Sequence, residues 1–463
     1  MLLLLTLFSA HTHPAPSSQP LVLTHLNVID VTDGSSQSNM TVIIQGNHIA
    51  AVGKTGEVSV PQSAQTIEAG GKYLIPGLWD MHAHTLTNDR YEYSFPLLLA
   101  NGITGVREMG NNLPPEKINE LRQEILEGRR LGPRFGALTY SLVDGPGTQF
   151  DIAVEVSTPN QGRQLVKTYK EQGADFIKPY NLLAREVYLA IADEAQRLNI
   201  PLEGHVPFSM TAAEVAELGQ ISIEHNFDVL VSCSRNESEL REEIRGKPKL
   251  WGQAEAKAAA TYDEPKAEML FAHLVRHGTW SCPTIDFYRL PFLIGDDSEI
   301  MKDSRMKYLP QSLRDLWHET FLRLSRNTIP EYRKIHYEMR TRIVGEMHRA
   351  GVRILAGTDT GATYAFPGFS LHDELEALVG AGLSPLEALQ TATLNPAKFL
   401  GQEKQLGTIE KGKTADLVLL EVDPLENISN TDRIAAVIAN GRYFPKESLR
   451  RMLDDAEAIA NKQ

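Results

Sequence analysis

Cysteine is nearly missing from this 463-residue chain, which has two, Cys233 and Cys282. A disulfide scaffold is therefore excluded, and so is a thiolate-rich zinc site. Any metal must be held by His, Asp, Glu or a modified Lys. A single bridge between the two cysteines stays open. Basic charge is also scarce. Lys and Arg number 46 against 59 Asp and Glu, a formal net charge of −13. Such a surface argues against nucleic acid or an anionic membrane as the main partner. It leaves a small-molecule substrate open, because one basic side chain in a pocket can outweigh the global field. No stretch approaches the ~18 uncharged apolar residues that a membrane-spanning helix needs, so no membrane insertion is expected. No GxGxxG or P-loop follows a strand-like run, which weakens a nucleotide-binding open sheet.

Of what is present, the start reads Met1-Leu-Leu-Leu-Leu-Thr-Leu-Phe-Ser-Ala10. It is like the apolar core of a secretory signal, without a basic n-region or a clean cleavage site. The expectation is a leader over residues 1–18 and an exported protein, periplasmic or secreted. A cytoplasmic protein with an oily N-terminus is the alternative. Assembly with copies of itself is also expected.

With 42% hydrophobic residues the chain can bury a large core. Short alternating strands with Asp33-Gly34 and Gln45-Gly46-Asn47 turns fill the segment after the leader. The far end has the same character, with Asp416-Leu417-Val418-Leu419-Leu420, Ile434-Ala435-Ala436-Val437-Ile438 and an Asn440-Gly441 hairpin signal. Both ends, residues 19–76 and 402–446, are expected to pair into one small β-sandwich, followed by a helical tail over 447–463. Between them, over 77–401, eight β-like runs stand out: 77–85, 103–109, 135–142, 176–180, 201–205, 221–225, 280–285 and 353–359. Helical stretches separate many of them. One opens at Thr158-Pro159 and closes at Gly173, and another opens on the capping box Ser384 to Glu387. Eight strand–helix units predict an α/β fold, a (β/α)8 TIM barrel, with the β-sandwich beside it. The charged stretch 228–266 and the helical stretch 289–342 read as insertions above the barrel.

The chemistry concentrates at strand ends. In Asp80-Met81-His82-Ala83-His84-Thr85, residues two apart face the same side of a strand, so His82 and His84 can share one metal. Lys178 closes an apolar run in Phe176-Ile177-Lys178-Pro179-Tyr180. It is either a lysine snorkelling to the rim or one carboxylated by CO2 into an anionic ligand. His205, His225 and Asp359 each end a further β-like run, where barrel enzymes place catalytic groups.

In that order, HxH, Lys, His, His, Asp, the chain resembles the amidohydrolase superfamily in its binuclear, carboxylated-lysine subtype. The likeness covers nearly the whole chain and is most similar to prolidase-like dipeptidases and N-acyl-amino-acid hydrolases. The resemblance implies that His82, His84 and Asp359 hold one divalent ion and His205 and His225 a second, with carboxylated Lys178 bridging both. Zinc is the first choice for both ions. It also implies a bridging hydroxide as nucleophile and Asp359 as proton carrier. Arg107 and Tyr180, near strand ends, are candidates to bind a substrate carboxylate; a structural ion pair is the alternative for Arg107. Glu108 stands where relatives often carry Asp. The function expected is hydrolysis of an amide in a dipeptide or N-acyl amino acid. The same site could instead act on a cyclic amide, carbamate, lactone or phosphoester, or, with one metal, deaminate.

Overall fold

The computed structural model describes residues 19–293, 301–327 and 330–462. The expected leader over residues 1–18 lies outside them, as do residues 294–300 and 328–329 of the expected second insertion.

Both chain ends build one eight-stranded sheet. Its order is Arg442–Pro445, Ile434–Ala439, Leu417–Leu420, Tyr73–Pro76, Leu21–Ile29, Ser36–Gln45 and His48–Lys54, with Gln65–Glu68 beside Leu21–Ile29. The N- and C-terminal parts join where Tyr73–Pro76 pairs antiparallel with Leu417–Leu420. The alternation of a strand explains why Leu417–Leu420 is apolar throughout. Leu417 and Leu419 face a core made by the sheet itself with Leu23, Val42 and Ile438. Val418 and Leu420 face the main core. Each face is buried, so no polar position is left.

The main core lies between a ring of parallel segments and the helices packed around it. Leu78–Ala83 pairs with Ile103–Glu108, which pairs with Arg134–Leu138. Leu202–Gly204 pairs with Gln220–Glu224, which pairs with Trp280–Cys282. Single contacts close the gaps: Asp175 N–H donates to Leu138 O at 2.9 Å, and Ile177 bridges Leu202. Ser281 bridges Ile354, and Met81 N–H donates to Ala356 O at 2.9 Å. This is a TIM-barrel-type, mixed α/β fold. Residues 176–180 join by bridges alone, because Pro179 has no N–H to give to a ladder.

The run expected over 135–142 divides. Arg134–Leu138 pairs with Ile103–Glu108, whereas Leu142–Asp144 pairs with Ala153–Glu155 and meets the ring through Val143, which bridges Pro179. The chain turns out between them, where Tyr140 O accepts from Asn111 N–H and Ser141 N–H donates to Tyr169 Oη. The helix starts read from the sequence are present. Thr158 and Gln161 form a capping box at Pro159–Gln172, which ends on Gly173 at φ 93°, and Ser384 and Glu387 form one at Pro385–Thr391. The helix Lys446–Ala460 closes the chain. No helix among the described residues is long and apolar enough to cross a membrane. Cys233 and Cys282 are both free and buried, so the bridge left open by the sequence is not formed.

Candidate functional site

His82 lies in the strand Leu78–Ala83 and His84 one residue beyond it; Lys178, His205, His225 and Asp359 stand at the ends of other ring segments. The backbone at two of these ends is turned sharply. His225 has φ 58° and Asp359 φ 59°, left-handed values that non-glycine residues rarely adopt. Such strain collects where a side chain must be aimed. Gly357 lets its segment approach His82 closely, since a Cβ there would sit 2.7 Å from His82 Cβ and 2.5 Å from Cys282 Sγ.

The ring brings these six side chains together. Lys178 Nζ is 3.2 Å from His82 Nε2 and 3.4 Å from His84 Nε2. Asp359 Oδ1 is 3.3 Å from His82 Nε2 and 3.4 Å from His84 Nε2, and its Oδ2 is 3.9 Å from His225 Nε2. The His205 and His225 rings are 4.9 Å apart. Ligand atoms of His82, His225 and Asp359 lie within 4.8 Å of one another.

The other ring nitrogen of every histidine is occupied. His82 Nδ1 meets Glu224 Oε2 at 2.7 Å and His84 Nδ1 meets Gly110 O at 2.5 Å. His205 Nδ1 meets Asn181 Oδ1 at 2.7 Å and His225 Nδ1 meets Thr284 Oγ1 at 2.6 Å. A carboxylate or carbonyl oxygen can only accept, so the Nδ1 atoms of His82, His84 and His205 carry the proton and their Nε2 atoms face inward, whereas the Thr284 hydroxyl can pair with either tautomer of His225. Burial, reinforced by the Lys178 charge, holds the His84 imidazolium at a pKa of about 3. Burial and neighbouring positive groups push His205 and His225 well below the ordinary histidine value. His84, His205 and His225 are therefore neutral at pH 7, as metal ligands must be. His205 Nε2 is buried with no hydrogen-bond partner, a costly state that a metal ion would relieve. The donor set therefore fits divalent ions. Burial also pulls the Lys178 ammonium down to about 8.

A second group of potential ligands, His82, Glu224 and Cys282, lies nearby. Burial pushes the Cys282 thiol well above its ordinary value, so it stays protonated. Glu224 is committed elsewhere, to Arg107.

Arg107 does not bind substrate in this geometry, which corrects one of the two placements considered for it. It is 0% exposed and absent from the cavity walls. Its guanidinium donates to Glu203 Oε2 at 2.8 Å, to both Glu224 oxygens at 2.9 and 2.8 Å, to Ser222 Oγ at 3.0 Å and to Met81 O at 2.6 Å. Strand alternation turns it into the barrel interior, below the site, where it is the buried ion pair of the other alternative. Replacing Arg107 by Met leaves two buried carboxylates without a cation. A loss of ~3–5 kcal/mol is expected, read as a lower thermal midpoint by calorimetry. An unchanged midpoint would refute the role of the pair.

Tyr180 does line the cavity, its ring 4.0 Å from that of His205. Glu108 accepts from Thr85 N–H at 2.9 Å and Thr85 Oγ1 at 2.7 Å, fastening the chain just after His84. Burial raises its pKa to about 8. The sequence reading missed Glu224, Asn181 and Thr284, which orient the histidines. One signal was available for Glu224: a carboxylate inside the apolar run before His225 needs a buried partner. Glu224→Gln removes the charge behind His82, and divalent-metal affinity is expected to fall ~10–100-fold in chelator competition. Unchanged affinity would mean that His82 is oriented by packing alone.

The site opens into a cavity of about 670 Å³. Lys249 of the first expected insertion and Leu316, Trp317, Thr320 and Arg323 of the second line it.

Residues 73–443 match the family model described as the amidohydrolase family. A 5-methylthioadenosine/S-adenosylhomocysteine deaminase of Thermoanaerobacter pseudethanolicus is 21% identical, over 91% of this chain and 93% of its own. An ochratoxinase of Aspergillus niger is 24% identical, over 86% and 80%. Among solved structures, a Bifidobacterium longum protein described as a prolidase superposes with a TM-score of 0.70 at 25% identity, covering 95% of this chain and 100% of that one. The match over most of the chain settles its descent: the protein belongs to the amidohydrolase family and is a hydrolase acting on C–N bonds.

Proposed function

We propose that the protein cleaves an amide bond next to a free carboxylate, in a dipeptide or N-acyl amino acid, with two divalent ions, zinc by first choice. His82, His84 and Asp359 would hold one ion, His205 and His225 the other, and Lys178, carboxylated, would join them. The observation that carries this reading is the convergence of three imidazoles on the Asp359 carboxylate, with the Lys178 amine against His82 and His84 and the His205 ring against His225. A one-metal deaminase, the activity named for the Thermoanaerobacter relative, leaves a fully buried lysine among the ligands without a purpose. Cyclic amides, carbamates, lactones and phosphoesters remain the alternative substrates of the same ligand set.

Bound there, the ions supply a water acidified toward neutral pH and polarise the scissile carbonyl. The chain's own groups do the rest. Asp359, with one oxygen toward His82 and His84 and the other toward His225, takes the proton of the attacking water. It then delivers that proton to the leaving amine nitrogen. Glu224, the Gly110 carbonyl, Asn181 and Thr284 hold the four histidine rings from behind at Nδ1. Tyr180, its ring tilted against that of His205, walls the side of the site that opens to the cavity.

The test is metal content by mass spectrometry on protein produced with zinc and bicarbonate, beside a screen of dipeptides and N-acyl amino acids. The expected result is about two metals per chain with amide cleavage. Two metals with turnover of lactones or phosphoesters alone would overturn the substrate. One metal with turnover of an aminopurine would place the deaminase reading first.

A further inference from the structure

His205 and His225 are backed from outside the ring. Trp251 and Glu255 stand one turn apart on the helix Trp251–Ala260, so they share one face, and both are buried. Trp251 packs flat on Phe227, with the rings 4.8 Å apart and 6° from parallel. Phe227 stacks in turn on the His205 ring, at 5.0 Å and 24°. Glu255 Oε1 accepts from Arg340 Nη2 at 2.7 Å, and Arg340 Nη1 donates to the His225 carbonyl oxygen. One helix face therefore reaches both histidines, each through a single side chain.

The His225 end needs such a hold. His225, Asn226 and Asp228 have φ values of 58°, 48° and 71°, left-handed backbone that persists only where the surroundings fix it. The ring supplies one tie, since His225 N–H donates to Cys282 O at 2.8 Å. Arg340 supplies another to the same residue, from the helix Pro330–Arg349. It is buried, with its guanidinium 4.0 Å from the centre of the Tyr288 ring. Burial works against the Glu255 charge, but Arg340 and His336 outweigh it and hold the carboxyl at about 2, so Glu255 is ionised at pH 7. None of Phe227, Trp251, Glu255 and Arg340 lines the cavity, so their reach ends at the histidines. His82 and His84 are backed differently. The groups behind them, Glu224 and the Gly110 carbonyl, belong to the strand Gln220–Glu224 and to the turn just after Ile103–Glu108.

Resting on the two-ion reading, we propose that Trp251 and Arg340 are positioning residues for the ion assigned to His205 and His225. Trp251 sets the His205 ring through Phe227. Arg340, held by Glu255, sets the His225 backbone. The helix Trp251–Ala260, in the first expected insertion, thus governs one ion and leaves the ion of His82, His84 and Asp359 to the ring.

The experiment loads the full chain with Co²⁺ and withdraws it by graded chelator competition, following visible absorption and metal content. The parent is expected to lose two ions in two steps. Two variants probe the two arms: Trp251→Leu, and the double variant Arg340→Met with Glu255→Gln, which strands no buried charge. Both are expected to weaken the same single step ~10–100-fold and to leave the other where it was. Trp251→Phe keeps a flat ring on Phe227 and gives up an N–H that has no partner among the described residues. It should regain most of what Trp251→Leu loses, which a merely space-filling role would not require. Equal weakening of both steps, shifts of different steps in the two variants, or no shift in either would overturn the proposal. A parent that holds one Co²⁺ would remove the two-ion reading. If the absorption of that single ion still changed in both variants, the positioning role would stand without it; if it did not, both would fall.

Discussion

Lys178→Ala is expected to abolish turnover, by a factor on the order of 10⁴, and to lower the metal content below two per chain. The expectation rests on where the amine sits. Lys178 is 1% exposed, with Nζ 3.2 and 3.4 Å from two imidazole nitrogens that carry lone pairs. An ammonium that is merely structural belongs beside a dedicated anion, and here the carboxylate in the cluster, Asp359, is shared with three histidines. Burial lowers the amine to about 8, so a neutral fraction is present at pH 7. That neutral amine can attack CO2, forming an N–C bond and releasing one proton, and the product is a carboxylate in the ligand cluster. Added acetate or propionate should partly restore both activity and metal content in Lys178→Ala, because a free carboxylate can occupy the vacated position. Full activity in the variant, with two metals bound, would remove the bridging role.

Asp359→Asn is expected to keep most of the metal yet lose ~10²–10⁴ in kcat, the usual contribution of a positioned proton carrier. The amide keeps one oxygen able to face an ion but cannot accept the proton. The left-handed φ of 59° should survive the change, since Asn tolerates that region better than most residues. The fold and the approach to His82 and His84 are therefore kept, and the variant isolates the chemical role. Metal analysis and kcat on the same preparation check it. Turnover near that of the parent would place the proton carrier elsewhere; loss of both metals would make Asp359 a ligand first.

The six side chains that the structure brings together were legible in the sequence for a local reason. His82, His84, Lys178, His205, His225 and Asp359 each end a short apolar run, and a strand end is recognisable without knowing its neighbours. The partners that orient them were not legible. Glu224 lies 142 residues from His82, Thr284 lies 59 from His225, and Asn181 lies 24 from His205. Nothing local says which polar residue will close on which ring. Arg107 shows the same limit from the other side. Its place near a strand end was visible, but the direction of its side chain follows from the register of Ile103–Glu108 against both neighbours, which sends it under the site.

The sequence by itself determined the family, the parallel strand–helix order, the caps at Thr158 and Ser384, and the residue types able to hold metal. These depend on periodicity and short motifs, which act over a few residues. Tertiary structure alone decided the rest. It split the run 135–142 and left Cys233 and Cys282 apart. It also buried both faces of the strand Leu417–Leu420 by placing a core on each. It set Phe150, Arg323 and Lys249, from three distant segments, around one cavity. Those outcomes depend on which surfaces meet when the ring closes, and contacts between residues far apart in the chain are fixed by packing of the whole, not by any stretch of it.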